Sequence, residues 1–119
     1  MSRLPRTDIL DEGEFVLRSL PREAAPSLRR LLDFEQRSLA PSVKTSILRA
    51  VARLDWVNSV QTARAALNDL DPEVRDAAAS LFAELGDAGS RVALEKRLER
   101  ESNDFVRQSI REAIDSLQS

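Results

Sequence analysis

Several groups of residues in this chain have types and spacings that chemistry could use. Asp8, Asp11 and Glu12 stand at helical intervals, so two carboxylates share a face and could begin a divalent-cation site. Acidic groups in a first turn also complement the helix dipole, and with no third ligand type beside them they read as structural. Ser42 and Lys44 could suggest a serine-lysine dyad, but residues two apart on a helix point to different faces. The run Gly86-Asp87-Ala88-Gly89-Ser90 is glycine-rich like a phosphate loop, yet it lacks the lysine, the spacing and the preceding strand such a loop needs. It reads as a helix-to-helix turn. Trp56 follows Asp55 at another turn, where an indole either covers the end of a core or stands out as an anchor for another protein.

Counting removes much of the remaining chemistry. The 119 residues include no histidine and no cysteine. Imidazole bases, Ser-His and Cys-His pairs, thiolate nucleophiles, disulfides and His or Cys metal ligands are therefore excluded. We expect no enzyme activity, cofactor or metal. The length fits one domain, residues 1–119, and the 42% apolar and 32% charged fractions fit a globular chain rather than a disordered one. Arg3 and Arg6 near the start are followed by no apolar signal region, and nowhere do about 18 apolar residues run together. A cytoplasmic protein with no membrane partner is the expectation. The net charge of −2 and the even mixing of signs leave no basic arm to draw the chain to a polyanion.

These residues must be held by helices, because the chain is rich in Ala, Leu, Arg and Glu and has only 3 glycines and 5 prolines. The helices repeat. Val74, Arg75, Ala77, Ala78, Leu81, Phe82 and Leu85 have counterparts 32 positions later in Val106, Arg107, Ser109, Ile110, Ala113, Ile114 and Leu117. A third copy lies 31 positions earlier in Val43, Lys44, Ser46, Ile47, Ala50, Val51 and Leu54. Each copy keeps its apolar groups on one helical face. Asp71 with Pro72, and Asn103, are helix-entry signals, and Gly86 suits a left-handed helix stop. Between the copies, second helices are predicted over about Val57–Asp69, with Val60, Ala63 and Leu67 inward, and over about Gly89–Glu101, with Leu94 and Leu98 inward.

The first forty residues form a less regular pair. A helix within Arg22–Arg37 starts near Ala24 or Ala25 because of Pro26, and turns Leu28, Leu31, Leu32 and Phe34 inward. An earlier helix over Asp8–Leu20 is interrupted by Gly13. The organisation is thus an N-terminal pair at 1–40, repeats at 41–70 and 71–102, and a terminal half repeat at 103–119.

The run from Asp71 to Asp87 resembles a HEAT repeat of the bacterial type also found in phycobilisome lyase-like proteins. The resemblance covers residues 41–117 well. It implies an all-α, right-handed α-solenoid of about seven helices, with first helices on the convex row and second helices lining the concave row. It also implies that the cation recurring at Lys44, Arg75 and Arg107 bonds loop carboxylates and carbonyls, here Asp71 or Asp69, rather than forming a phosphate-binding ladder. Deoxyhypusine hydroxylases of this architecture use His-Glu pairs for iron, which a histidine-free chain lacks. Phycobilin lyase subunits usually hold longer arrays. HEAT-like alkylpurine DNA glycosylases cradle DNA on a basic concave surface. The inner row here presents Gln61, Ala65 and Asn68, then Val92, Lys96 and Glu99, with no cationic stripe.

The expectation is a non-enzymatic protein-protein interaction scaffold or adaptor. Its contact residues would be Gln61, Ala65, Asn68, Lys96, Glu99 and Arg100, with Trp56 as a rim anchor. The alternative is a nucleic-acid-binding module related to the HEAT-like DNA glycosylases. The terminal stripe of Phe105, Ile110, Ile114 and Leu117 has no second helix after it to cover it. Either its polar side, including Arg111, Glu112 and Asp115, caps a monomer, or this end meets a partner or a second copy in an end-to-end homodimer.

Overall fold

A computed structural model describes residues 20–34 and 37–118. The expected helix over Asp8–Leu20, and with it the carboxylates of Asp8, Asp11 and Glu12, lies outside those residues apart from Leu20 itself. The described chain is helical throughout. A 3-10 turn, Arg22–Ala24, leads into α1 (Ala25–Phe34), followed by α2 (Pro41–Leu54), α3 (Trp56–Ala66) and α4 (Pro72–Leu85). A second 3-10 turn, Ala88–Ser90, leads into α5 (Arg91–Arg100), and α6 spans Asp104–Gln118.

Local chemistry explains most of these boundaries. Pro41 and Pro72 occupy first-turn positions, where a missing N–H costs nothing. Asp55 ends α2 and caps α3, its carboxylate accepting from the backbone N–H of Asn58 at 3.3 Å. Gly86 stops α4 at φ 64°, in the left-handed region that a side chain disfavours. Asn103 caps α6 by accepting from the backbone N–H of Val106 at 3.1 Å. Asp71 departs from expectation: its side chain caps nothing. The carboxylate is drawn instead to the ammonium of Lys44, 2.7 Å away, because a full charge is a stronger partner than a backbone N–H.

The three apolar stripes superpose as the repeat predicts. Ile47, Leu48 and Val51 of α2, Val74, Ala78, Leu81 and Phe82 of α4, and Val106, Ile110 and Ala113 of α6 are all buried. Between them lie Ala63 and Leu67 from α3 and its end, and Leu94 of α5. The first helices form a continuous row in which α4 packs against α2 on one side and α6 on the other. The run Ala77-Ala78-Ala79 is buried, and such small side chains let helices approach closely.

Two apolar residues expected inside, and Phe105 of the terminal stripe, lie at the surface. Leu31 and Phe34 of α1 are exposed, because Leu28 and Leu32 are one turn apart and define the inward face, and the other two fall beside it. Phe105 is 82% exposed, since it precedes the stripe that starts at Val106. The rest of the terminal stripe is covered: Ile110 and Ile114 are buried and Leu117 is half-buried against the same core. Gln108, Arg111, Glu112 and Asp115 face outward.

Candidate functional site

The recurring cations hold the repeats together, and each is placed by its helix entering from a loop. Lys44, 1% exposed, donates to Asp69 at 2.9 Å and pairs with Asp71 at 2.7 Å. Burial works against its charge, and the hydrogen bonds and charges of Asp71 and Asp69 outweigh it, holding the ammonium above the usual lysine range. Arg75 uses Nη1 for the carbonyls of Asp69 and Leu70, at 2.9 and 3.1 Å. Its Nε and Nη2 grip Glu101 at 2.7 and 3.0 Å. Arg107 repeats the carbonyl half of this pattern, with Nη1 donating to Leu98 and Glu101, both at 2.8 Å.

Asp69 and Glu101 are therefore equivalent, 32 positions apart. Each receives the cation of its own repeat on its carboxylate and the cation of the following repeat on its carbonyl. Each also accepts a backbone N–H two residues on, from Asp71 at 2.9 Å and from Asn103 at 3.1 Å. Burial pushes the carboxyl of Glu101 upward, but the bonds from Arg75 and Asn103 and the charge of Arg97 prevail and lower it. These groups are fully engaged with one another, so the ladder is structural. Ser42 is exposed while Lys44 is buried, so the two do not face each other.

The opposite edge has its own ties. Arg64 donates to Asp87 at 3.1 Å and to the hydroxyl of Ser90 at 3.2 Å, and Ser90 donates to Asp87 at 2.6 Å. The Ser90 hydroxyl first, then Arg64, lower the Asp87 carboxyl against the effect of burial. The glycine-containing turn is thus latched to α3. Arg29 of α1 lies 3.7 Å from Asp55 in the matching place.

Open surface remains in grooves between helices. One of about 450 Å³ separates α1 from α3 and is lined by Pro26, Arg29, Arg30, Asp33, Gln61 and Ala65, with Thr62 at its base. A narrower one of about 120 Å³ shares Asp33, Thr62 and Ala65 and reaches inward to Leu48 and Val74. Another of about 380 Å³ lies between α2 and α4, where Trp56 forms part of the wall.

The structure splits the predicted contact set. Gln61 and Ala65 share the α1–α3 groove. Asn68 is exposed past the end of α3, where its side-chain oxygen accepts from Arg97 of α5 at 3.4 Å. Lys96, Glu99 and Arg100 are exposed on α5 and line none of these grooves. Trp56, half exposed, belongs to the α2–α4 groove and not to the one holding Gln61. Sequence reasoning missed Arg29, Arg30 and Asp33. Their signal was available, since they lie on the side of α1 facing away from Leu28, as Gln61 and Ala65 do relative to Ala63. Among the described residues no group of three or more His, Cys, Asp or Glu could hold a metal ion, and no helix is long and apolar enough to cross a membrane.

A family model described as HEAT repeats matches residues 28–115. The chain belongs to the HEAT-repeat family. The match runs from the first buried leucine of α1 to the last turns of α6, so the stacked helix pairs form a HEAT solenoid of helices. Neither the curated proteins nor the solved structures give a match. HEAT repeats generally serve as protein-interaction scaffolds.

Proposed function

We propose that this HEAT-repeat chain is a non-enzymatic adaptor that receives a protein partner in the groove between α1 and α3. The observation that carries this reading is the groove itself. It is about 450 Å³, walled by two arginines, one aspartate, Gln61 and the small Ala65. Small and amide side chains let another backbone approach and offer both donors and acceptors. The cation ladder supports it from below, because a surface held rigid by buried charge pairs loses little entropy on binding. A cytoplasmic setting belongs to the same proposal, and cell fractionation tests it.

The test places a photo-crosslinking residue at Gln61 and, separately, at Ser42, which is exposed and lines none of these grooves. A discrete protein adduct from position 61 that is absent from position 42, and that disappears with Ala65→Arg, is the expected result. Adducts of equal intensity from both positions would overturn the assignment. The nucleic-acid alternative is separated by titrating fluorescent DNA: affinity that falls steeply between about 50 and 200 mM salt would replace the protein partner with a polyanion.

A further inference from the structure

The two boundaries in the row of first helices are built differently. Near the start of α2, Lys44 reaches Asp71, at the entry to α4, through a single nitrogen at 2.7 Å. Beyond that contact the later turns of the same two helices flank the groove of about 380 Å³, with Ala52, Ala77 and Leu81 as its buried floor. Between α4 and α6 the corresponding places are tied. Arg75 holds Glu101, in the loop that enters α6, through two nitrogens, and Asp76 accepts a hydrogen bond from Ser109. At the first boundary Thr45 and Ala77 stand in the positions of Asp76 and Ser109, and the Thr45 hydroxyl has no partner. α4 accordingly packs more extensively on α6 than on α2. The cations differ in kind as well. An ammonium is a point contact that keeps its length while the groups around it turn, whereas a guanidinium fork also fixes direction.

From this we infer that the α2–α4 boundary is a hinge, with the buried Lys44 ammonium as its pivot and Arg64, bound to Asp87 and Ser90, as the latch that keeps it closed. α3 follows α2 after the single residue Asp55, and α1 packs on α2, so these three helices turn as one body against α4–α6. Such a rotation slides α3 over α4 and pulls Arg64 away from the turn after α4, where it donates to Asp87 at 3.1 Å and to Ser90 at 3.2 Å. The latch is the weaker end of the joint. The side chains of Arg64 and Asp87 are 43% and 35% exposed, against 2% for Lys44. Water competes for both partners of an exposed ion pair and leaves it little net strength. Opening widens the α2–α4 groove and uncovers its apolar floor beside Trp56, a hinge motion of the kind that alters a binding surface without changing any helix. The α1–α3 groove lies wholly on one side of the pivot and keeps its shape, so the hinge does not depend on the partner proposed for that groove.

The chain has no cysteine, so nitroxide labels can be placed on introduced cysteines alone. Arg49→Cys with Ser80→Cys spans the α2–α4 boundary, and Ser80→Cys with Glu112→Cys spans the α4–α6 boundary at the same repeat positions. All three residues are exposed. Label-to-label distances are read by dipolar electron paramagnetic resonance, and circular dichroism checks that each labelled protein keeps its helices. The first pair should give a broader distribution than the second. Arg64→Ala and Asp87→Ala, which remove the latch from opposite sides, should each shift the first pair to longer distances and leave the second where it was. Equal widths for the two pairs would overturn the inference without recourse to either variant. A latch variant that leaves the first pair unmoved, or that moves both pairs, would overturn it as well.

Discussion

Arg75 holds the carboxylate of Glu101 through both Nε and Nη2, at 2.7 and 3.0 Å, joining the start of α4 to the end of α5 within one helix pair. Glu101 has a side-chain exposure of 0%. It also accepts from Arg97 at 3.3 Å and from the backbone N–H of Asn103. Four donors thus converge on two oxygens, and removing the central one leaves a buried anion short of its main counter-charge. Arg75→Ala should therefore lower unfolding free energy by about 3 kcal/mol. Arg75→Lys should recover part of that, because an ammonium cannot reach the carboxylate and both carbonyls at once. Urea denaturation of the two variants measures this. A loss below half a kcal/mol in Arg75→Ala would show that the pair is dispensable.

The same carboxylate governs acid stability. The bonds around Glu101 depress its folded-state pKa below the ordinary 4.5. Its stabilising contribution is therefore present above the unfolded value and is lost as pH falls through the lower, folded one. Melting temperature should be level near neutrality and drop in acid below about pH 4.5, and Glu101→Gln should flatten that drop while lowering stability at pH 7. Lys44 has the opposite sign. With its pKa raised above 10.5, its contribution holds at and below that value and is lost as pH rises through the folded pKa.

The repeat frame was readable in advance, and the boundary bonds were not. Val74 and Val106 both prove buried at equivalent helix positions, as their apolar spacing requires, and Gly86 ends its helix in the left-handed conformation expected of it. Asp71 had the type and place of a helix cap, but a cation 27 positions earlier in the chain, Lys44, claims its carboxylate. Local pattern carries no information about a partner that distant. Glu101 was less visible still. It follows the largely charged run from Glu95 to Arg100, and nothing in that run marks it as 3% exposed. The candidate grooves were half legible for a related reason. Helical phase identifies which side of α3 faces out, but only the packed structure shows that Trp56 opens onto one groove and Gln61 onto another.

Leu81 is 6% exposed, within the core that joins α2, α4 and α6. Leu81→Ala should cost about 2 to 5 kcal/mol through lost burial and the cavity left behind. It also deepens the floor beneath Trp56, so a change in tryptophan emission should accompany the loss of stability. Unchanged stability by differential scanning calorimetry would contradict the burial of this side chain.

Gly86→Ala isolates a backbone effect. No atom lies within 4 Å of where the new methyl group would sit, so the cost comes from the φ of 64° alone. About 1 to 2 kcal/mol is expected. Gly86→Asn should be milder, because asparagine enters the left-handed region more readily. A ranking by chemical denaturation with alanine equal to or better than asparagine would contradict a conformational origin.

The buried hydroxyl of Thr45 has no hydrogen-bond partner among the described residues, and the repeat explains why. Asp76 of α4 accepts a hydrogen bond from Ser109 of α6. One repeat earlier, Thr45 of α2 takes the place of Asp76 and Ala77 of α4 takes the place of Ser109, so the rung has lost its second polar group. The Thr45 hydroxyl is left buried without an acceptor or donor. A lone buried hydroxyl carries its desolvation cost uncompensated, whereas a methyl group of similar size in the same space does not. Thr45→Val should therefore raise stability by about 1 kcal/mol. Ala77→Ser should also raise it, by restoring the missing partner, and the two gains should not add, because valine removes the group that the new serine would bond. A double-mutant cycle by urea denaturation measures the coupling directly. A destabilised Thr45→Val would mean that the hydroxyl is satisfied after all.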